Sequence, residues 1–143
     1  MFVKQISVFI DNKPGRLAAF TKILGDSGID LIAVTVADTA DFGILRGIVQ
    51  DHDKAAKVAS EAGYTVRLTD VLVASAPDVP GGLASILAVL ADHQINLEYM
   101  YSFVRDSGQK ALIVFRVDDI EKAAKALTEN KITLLCRDDV IRL

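Results

Sequence analysis

Shifted against itself by 66 positions, the sequence places Pro14 on Pro80, Gly15 on Gly81, Leu17 on Leu83, Leu24 on Leu90, Ile29 on Ile95 and Leu31 on Leu97. Farther along the offset becomes 68, where Lys54-Ala55-Ala56-Lys57 meets Lys122-Ala123-Ala124-Lys125 and Asp70 meets Asp138. Two residues have thus been gained in the second copy, and the turn at Arg105 to Lys110 is the expected place for them. Two copies are too few for a solenoid, which leaves two tandem domains of one type, 1–69 and 70–143.

Hydrophobic spacing gives each copy the same six elements. Val3 to Ile10 alternates as a strand, and Gly15 to Asp26 carries Leu17, Phe20, Ile23 and Leu24 at helical spacing, with Gly28 placed to stop the helix. Leu31 to Ala37 and Ile44 to Val49 are β-rich runs around a turn containing Asp38, Asp41 and Gly43. Asp53 is the expected N-cap of a helix over Lys54 to Ala62 that stops at Gly63, and Tyr64 to Leu68 closes the copy as a strand. In the second copy the order runs through Val71 to Ala76, Gly82 to Ala91, Leu97 to Val104, Ala111 to Val117, Ile120 to Leu127 and Ile132 to Leu135. Val140 to Leu143 is expected to add a short strand.

The βαββαβ order closes most simply as a ferredoxin-like α+β unit, an antiparallel four-stranded sheet with both helices on one face. Simple alternation would then turn Leu31 and Ala33 toward the helices and Ile32, Val34 and Val36 away from them. Apolar residues on both faces imply that the second face is covered too, by the other repeat or by another chain. A homo-oligomer, a dimer first of all, is expected.

A net charge of −3 argues against a general nucleic-acid or acidic-membrane surface, because phosphate binding needs an excess of Lys and Arg on one face. Cys136 is the single cysteine, so no internal disulfide can form and no zinc-ligand spacing exists, which suits a reducing cytoplasm. The first 15 residues lack the pattern of a secretory signal, and no apolar run reaches the roughly 18 residues of a membrane span. Neither metal nor cofactor is expected.

The repeated Pro-Gly turn is the candidate functional feature. It leads a strand into the start of a helix, where unpaired N–H groups and the positive end of the helix dipole favour a carboxylate or phosphate. Glycine at 15 and 81 would let a ligand approach the backbone. Asp11, Asn12 and Asp78 lie beside the turns, and Asp30 and Asn96 begin the next strands; their oxygens could hold an ammonium group. Carboxylate and ammonium together make a free amino acid. The alternative is that Pro and Gly merely suit a tight turn, with Asn12 and Asp78 capping helices and Asp30 and Asn96 starting strands.

The stretches DNKPGRLAAFTKILGDSGIDL and PDVPGGLASILAVLADHQINLEYMYSF resemble the ACT domain, a small ferredoxin-like module that senses amino acids and controls metabolic enzymes. The chain is similar in particular to stand-alone tandem ACT proteins without a catalytic domain. In that family the ligand usually lies at an interface between paired modules, between the loop after strand one and the start of strand two. The resemblance therefore implicates Asp11, Asn12, Lys13, Pro14, Gly15, Arg16, Leu17 and Asp30 in the first copy. In the second it implicates Asp78, Val79, Pro80, Gly81, Gly82, Leu83 and Asn96. The copies differ where Asn12 is answered by Asp78, Lys13 by Val79, Arg16 by Gly82 and Asp30 by Asn96, so their sites cannot have equal charge or affinity.

Other chemistries fit poorly. The GDSG at Gly25 to Gly28 sits at a helix end with no histidine before it, and His52 lies between Asp51 and Asp53 where a solvated cap is the better reading. Acylphosphatases and RNA-recognition modules share the βαββαβ order. The former need an arginine in the phosphate loop after strand one, whereas DNKPGR carries Arg16 beyond the turn and inside the helix and the second copy has Gly82 there; the latter need aromatics in central strands, where ALIVFRV offers only Phe115. Tyr99, Tyr101 and Phe103 alternate on what simple alternation makes the face of Leu97. The expected function is a non-enzymatic regulator that binds an amino acid, apolar by the look of Leu17, Val79, Leu83 and the tyrosines, and signals to an enzyme or transporter. The rival is a ligand-free module that assembles an enzyme complex.

Overall fold

The computed structural model describes residues 2–38, 41–103 and 110–143, so the expected two-residue gain and part of the Asp38 to Gly43 turn lie outside the described residues. The chain divides between Thr69 and Asp70 into two compact units, and Val3 groups with the second of them. In the first unit β1 (Val3–Asp11), α1 (Arg16–Asp26), β2 (Leu31–Asp38), β3 (Phe42–Val49) and α2 (His52–Glu61) follow one another, and β4 (Val66–Pro77) begins there. The strand order is β2-β3-β1-β4, with β3 antiparallel to both β1 and β2. The second unit takes the remainder of β4, then α3 (Gly82–Asp92), β5 (Leu97–Phe103), β6 (Lys110–Val117), α4 (Ile120–Glu129), β7 (Thr133–Leu135) and α5 (Arg137–Ile141). There β4 lies between β6 and β7, and β5 flanks β6.

Each unit packs its two longer helices on one sheet face. In the first, Ile6, Val8 and Ile10 alternate along β1 beneath Phe20 and Leu24 of α1 and Ala55 and Ala59 of α2. In the second, Leu72, Ala74 and Ala76 meet Ile86 and Leu90 of α3 and Ala123 and Leu127 of α4. The alanines on α2 and α4 let the helices sit close to the sheet, where larger side chains would hold them off.

Several local expectations need correction. The strand expected over Tyr64 to Leu68 and the one over Val71 to Ala76 are a single strand, β4, which runs through Thr69 and Asp70 without a break. The N-cap of α2 is Asp51, not Asp53: its carboxylate accepts the Lys54 N–H at 3.0 Å, as Asp119 accepts that of Lys122 at 3.1 Å. The C-terminal stretch expected as a strand is the short helix α5. There the Cys136 N–H donates to the Asp139 carboxylate at 3.0 Å, and the hydrogen bonds from Cys136 hold that carboxyl below its ordinary value.

The faces of β2 and β5 also differ from simple alternation. Each strand carries a bulge near its start, between Leu31 and Ala33 and between Leu97 and Tyr99. Cross-strand partners share a face, so Val34 and Val36, opposite Gly47 and Leu45, stand on the helix side, while Ala33 joins Ile48 on the other. Likewise Leu97 lies with Val117 over the core, whereas Tyr99, Tyr101 and Phe103, opposite Arg116, Val114 and Leu112, occupy the opposite face.

Candidate functional site

β1 ends at Asp11, opposite Phe42, and the chain turns at once into α1. The Lys13 N–H donates to the Asp11 carbonyl at 2.8 Å, and the Arg16 N–H to that of Lys13 at 3.3 Å. Gly15 is the N-cap at φ 83°, and Gly81 is its counterpart before α3 at φ 87°. Left-handed backbone is the reason for glycine here: a Cβ would meet nothing within 4 Å at either position, so close approach alone does not demand it. Neither α1 nor α3 has a side-chain cap. Asn12 and Asp78 therefore do not cap helices, although aspartates cap both α2 and α4. With the Arg16 N–H given to the Lys13 carbonyl and the Gly82 N–H to the Val79 carbonyl at 3.0 Å, the N–H groups that follow in each first turn are the ones an anion could take.

Asp30 and Asn96 stand elsewhere. Leu31 pairs with Val49 at one end of β3 and Asp11 with Phe42 at the other, which for eight residues is about 23 Å along the strand. The Asp30 carbonyl accepts the Gln50 N–H at 3.0 Å, and the Asn96 N–H donates to the Asp118 carboxylate at 3.1 Å. No single unit brings either residue to its own helix-start loop.

A cavity opens at each helix start. That of the first unit measures about 420 Å³ and is lined by Asp11 and Arg16, by Phe9 and Ile10 of β1, and by Phe42, Tyr64 and their neighbours. That of the second, about 520 Å³, is lined by Val79, Pro80, Gly81 and Gly82, with Ser75, Lys110, Lys131 and Thr133 among the rest. Offsets of 66 and 68 relate the two walls, so the repeat has produced the same cavity twice. Of the other loop residues expected at the site, Asn12, Lys13, Pro14, Gly15, Leu17, Asp78 and Leu83 lie outside the cavity walls. Leu17 is exposed, and Leu83 packs on the second core.

Sequence reasoning missed the walls supplied by the start of β3 or β6 and by the turn after α2 or α4. The available signal was the glycine stop after α2, answered in the second copy by Lys131. Gly63 has φ 91° and Lys131 φ 62°, so a lysine is held in backbone that favours glycine. We expect Lys131→Gly to stabilise the second unit by about 1 kcal/mol, read as a higher midpoint in urea unfolding.

Charge distinguishes the cavities. The first presents one carboxylate and one guanidinium beside aromatic rings, and Phe9 and Phe42 remain 47% and 54% exposed. Tyr64 is fixed by an edge-on contact with buried Phe20, ring centroids 5.0 Å apart at 68°. Among the described residues, neither Asp11 nor Arg16 forms an ion pair, and no cluster of three or more potential metal ligands occurs. No helix among the described residues is long and apolar enough to cross a membrane.

Two βαββαβ units, each with a glycine at the N-cap of its first helix, define a tandem pair of ferredoxin-like domains, and the chain belongs to the family described as an ACT domain pair, whose model matches residues 1–143. The protein BT0572 of Bacteroides thetaiotaomicron, known from its crystal structure, is 43% identical over 100% of this chain and 98% of its own, with a TM-score of 0.94. The regulatory subunit of aspartate kinase from Thermus thermophilus shares the fold at 18% identity, over 88% of this chain and 91% of that one, with a TM-score of 0.64. A comparison with curated proteins found no match.

Proposed function

We propose that the chain is a regulatory protein that binds a free, apolar amino acid in the first unit's cavity and passes the signal to a metabolic enzyme or transporter. The observation that carries this reading is that Asp11 and Arg16 line one cavity with aromatic walls, at a helix start that has no side-chain cap. Arg16 and the α1 N–H groups would receive the ligand carboxylate and Asp11 its ammonium group. Phe9, Phe42 and Tyr64 would cover its side chain. At about 420 Å³ the cavity falls within the range of small-molecule sites, roughly 300–1,000 Å³. Membership of the ACT domain pair family supports a binding rather than a catalytic role. The fold shared with a regulatory subunit of aspartate kinase suits control of an enzyme. A ligand preferring one arrangement of the protein would shift its population by the difference in affinity, and that shift is the signal.

The test is thermal unfolding against the twenty amino acids one at a time, with oligomeric state followed in parallel. A ligand at a hundred times its dissociation constant adds about 2.7 kcal/mol, which should raise the midpoint by several degrees. Asp11→Asn and Arg16→Met should each weaken binding about tenfold or more and leave assembly unchanged. If no amino acid shifts a well-folded protein, the assembly reading replaces this one, and the half-exposed Val34 and Val36 on strand β2 become the surface to test.

A further inference from the structure

We infer that the second unit's cavity takes a small dicarboxylate, not a zwitterionic amino acid; the inference rests on reading the helix-start cavities as small-molecule sites. Four equivalent wall positions carry the argument. Asp11 of the first cavity is answered by Pro77, Arg16 by Gly82, Phe42 by Lys110 and Gly63 by Lys131. These exchanges remove the acidic group that would receive an ammonium and leave no carboxylate among the described wall residues. They also convert one cation balanced by one anion into two cations with no anion.

Lys110 and Lys131 come from separate segments, the start of β6 and the turn after α4, and line one space of about 520 Å³. Among the described residues neither forms an ion pair. Two exposed ammonium groups that line one space without an ion-pair partner among the described residues suit an occupant with two negative charges. The uncapped start of α3 adds N–H groups of the same polarity. Lys131 is moreover held at φ 62° where the first unit has glycine, so its charge stands at a backbone cost that the fold itself does not require. The remaining wall separates a dicarboxylate from inorganic phosphate: Val79, Ile86 and Ile132 offer apolar surface to a short methylene chain, which phosphate lacks.

The experiment is calorimetric titration of the full chain with succinate, 2-oxoglutarate, inorganic phosphate and leucine at low ionic strength. A dicarboxylate should bind once per chain and more tightly than phosphate, with affinity falling as salt is raised. Lys110→Met and Lys131→Gly should each weaken it about tenfold, and the double variant should lose it. Because Lys131→Gly relieves backbone strain, loss of binding in a folded variant reports the site itself. Arg16→Met should change dicarboxylate affinity by less than about twofold, since its cavity is the other one. Failure of both dicarboxylates to bind, equal binding by the double variant, or tighter binding of phosphate would overturn the inference. The amino-acid reading is judged separately, by the twenty-amino-acid screen and the response of its ligand to Asp11→Asn and Arg16→Met.

Discussion

Replacing Phe20 with alanine should destabilise the first unit by about 3–5 kcal/mol, the usual cost of emptying a phenylalanine site in a packed core. Phe20 is fully buried among Ile6, Val8, Leu24 and Leu45. Its ring is also the edge-on partner of Tyr64 at 5.0 Å, and Tyr64 lines the first cavity. Two losses are therefore expected together: faster hydrogen exchange at first-unit amides, and weaker binding of whatever occupies that cavity. Phe20→Leu separates them. It retains much of the packing while removing the ring contact, so ligand affinity should fall by more than stability would suggest. Unchanged exchange in Phe20→Ala would show that this ring does not anchor the core.

The second large effect is expected at Gly82. A Cβ there would run into the Pro77 carbonyl oxygen, which is backbone and cannot swing aside. Gly82→Ala must then move the end of β4 or the first turn of α3, at about 1–3 kcal/mol. Neighbouring Gly81 provides the control. Its would-be Cβ meets open space, so Gly81→Ala should cost only the left-handed backbone penalty, about 1–2 kcal/mol. The measurement is urea unfolding of the two variants in parallel. Equal small losses would mean that the close approach at Gly82 relaxes freely. The comparison also shows why large residues at Gly15 or Gly81 are poor probes of ligand approach: they strain the chain first.

Much of the fold was legible because the repeat reports the same pattern twice. Phe20 and Leu24, with Ile86 and Leu90, mark the buried helix faces, and the Pro-Gly pairs mark the starts of those helices. Failures came where a hydrogen bond or a single inserted residue decides the outcome. Asp51 and Asp53 have equal capping propensity, and only the geometry of the turn selects Asp51. A bulge leaves no mark in an apolar run such as Leu31 to Val36, so the faces of Val34 and Val36 were misread. The candidate cavities were half legible: Asp11, Arg16 and Gly82 could be placed by the turn, whereas Phe42, Tyr64, Lys110 and Lys131 reach the cavity walls from distant parts of the chain. Asp30 and Asn96 looked close because a helix returns the chain to its neighbourhood in sequence, yet that return crosses the sheet from end to end.

The bulges in β2 and β5 work as a frame-shift written in space. One added residue, Ile32 in the first unit and Glu98 in the second, exchanges which side each later side chain serves while the pairing with the neighbouring strand continues. In β5 that exchange gives Met100 to the core and delivers Tyr99, Tyr101 and Phe103 as a block to the other face. The residues of that outer face are thus chosen less by their own identities than by a single position upstream. A family built on this unit could recast an entire strand surface by gaining or losing one residue, without substituting any other residue of the strand.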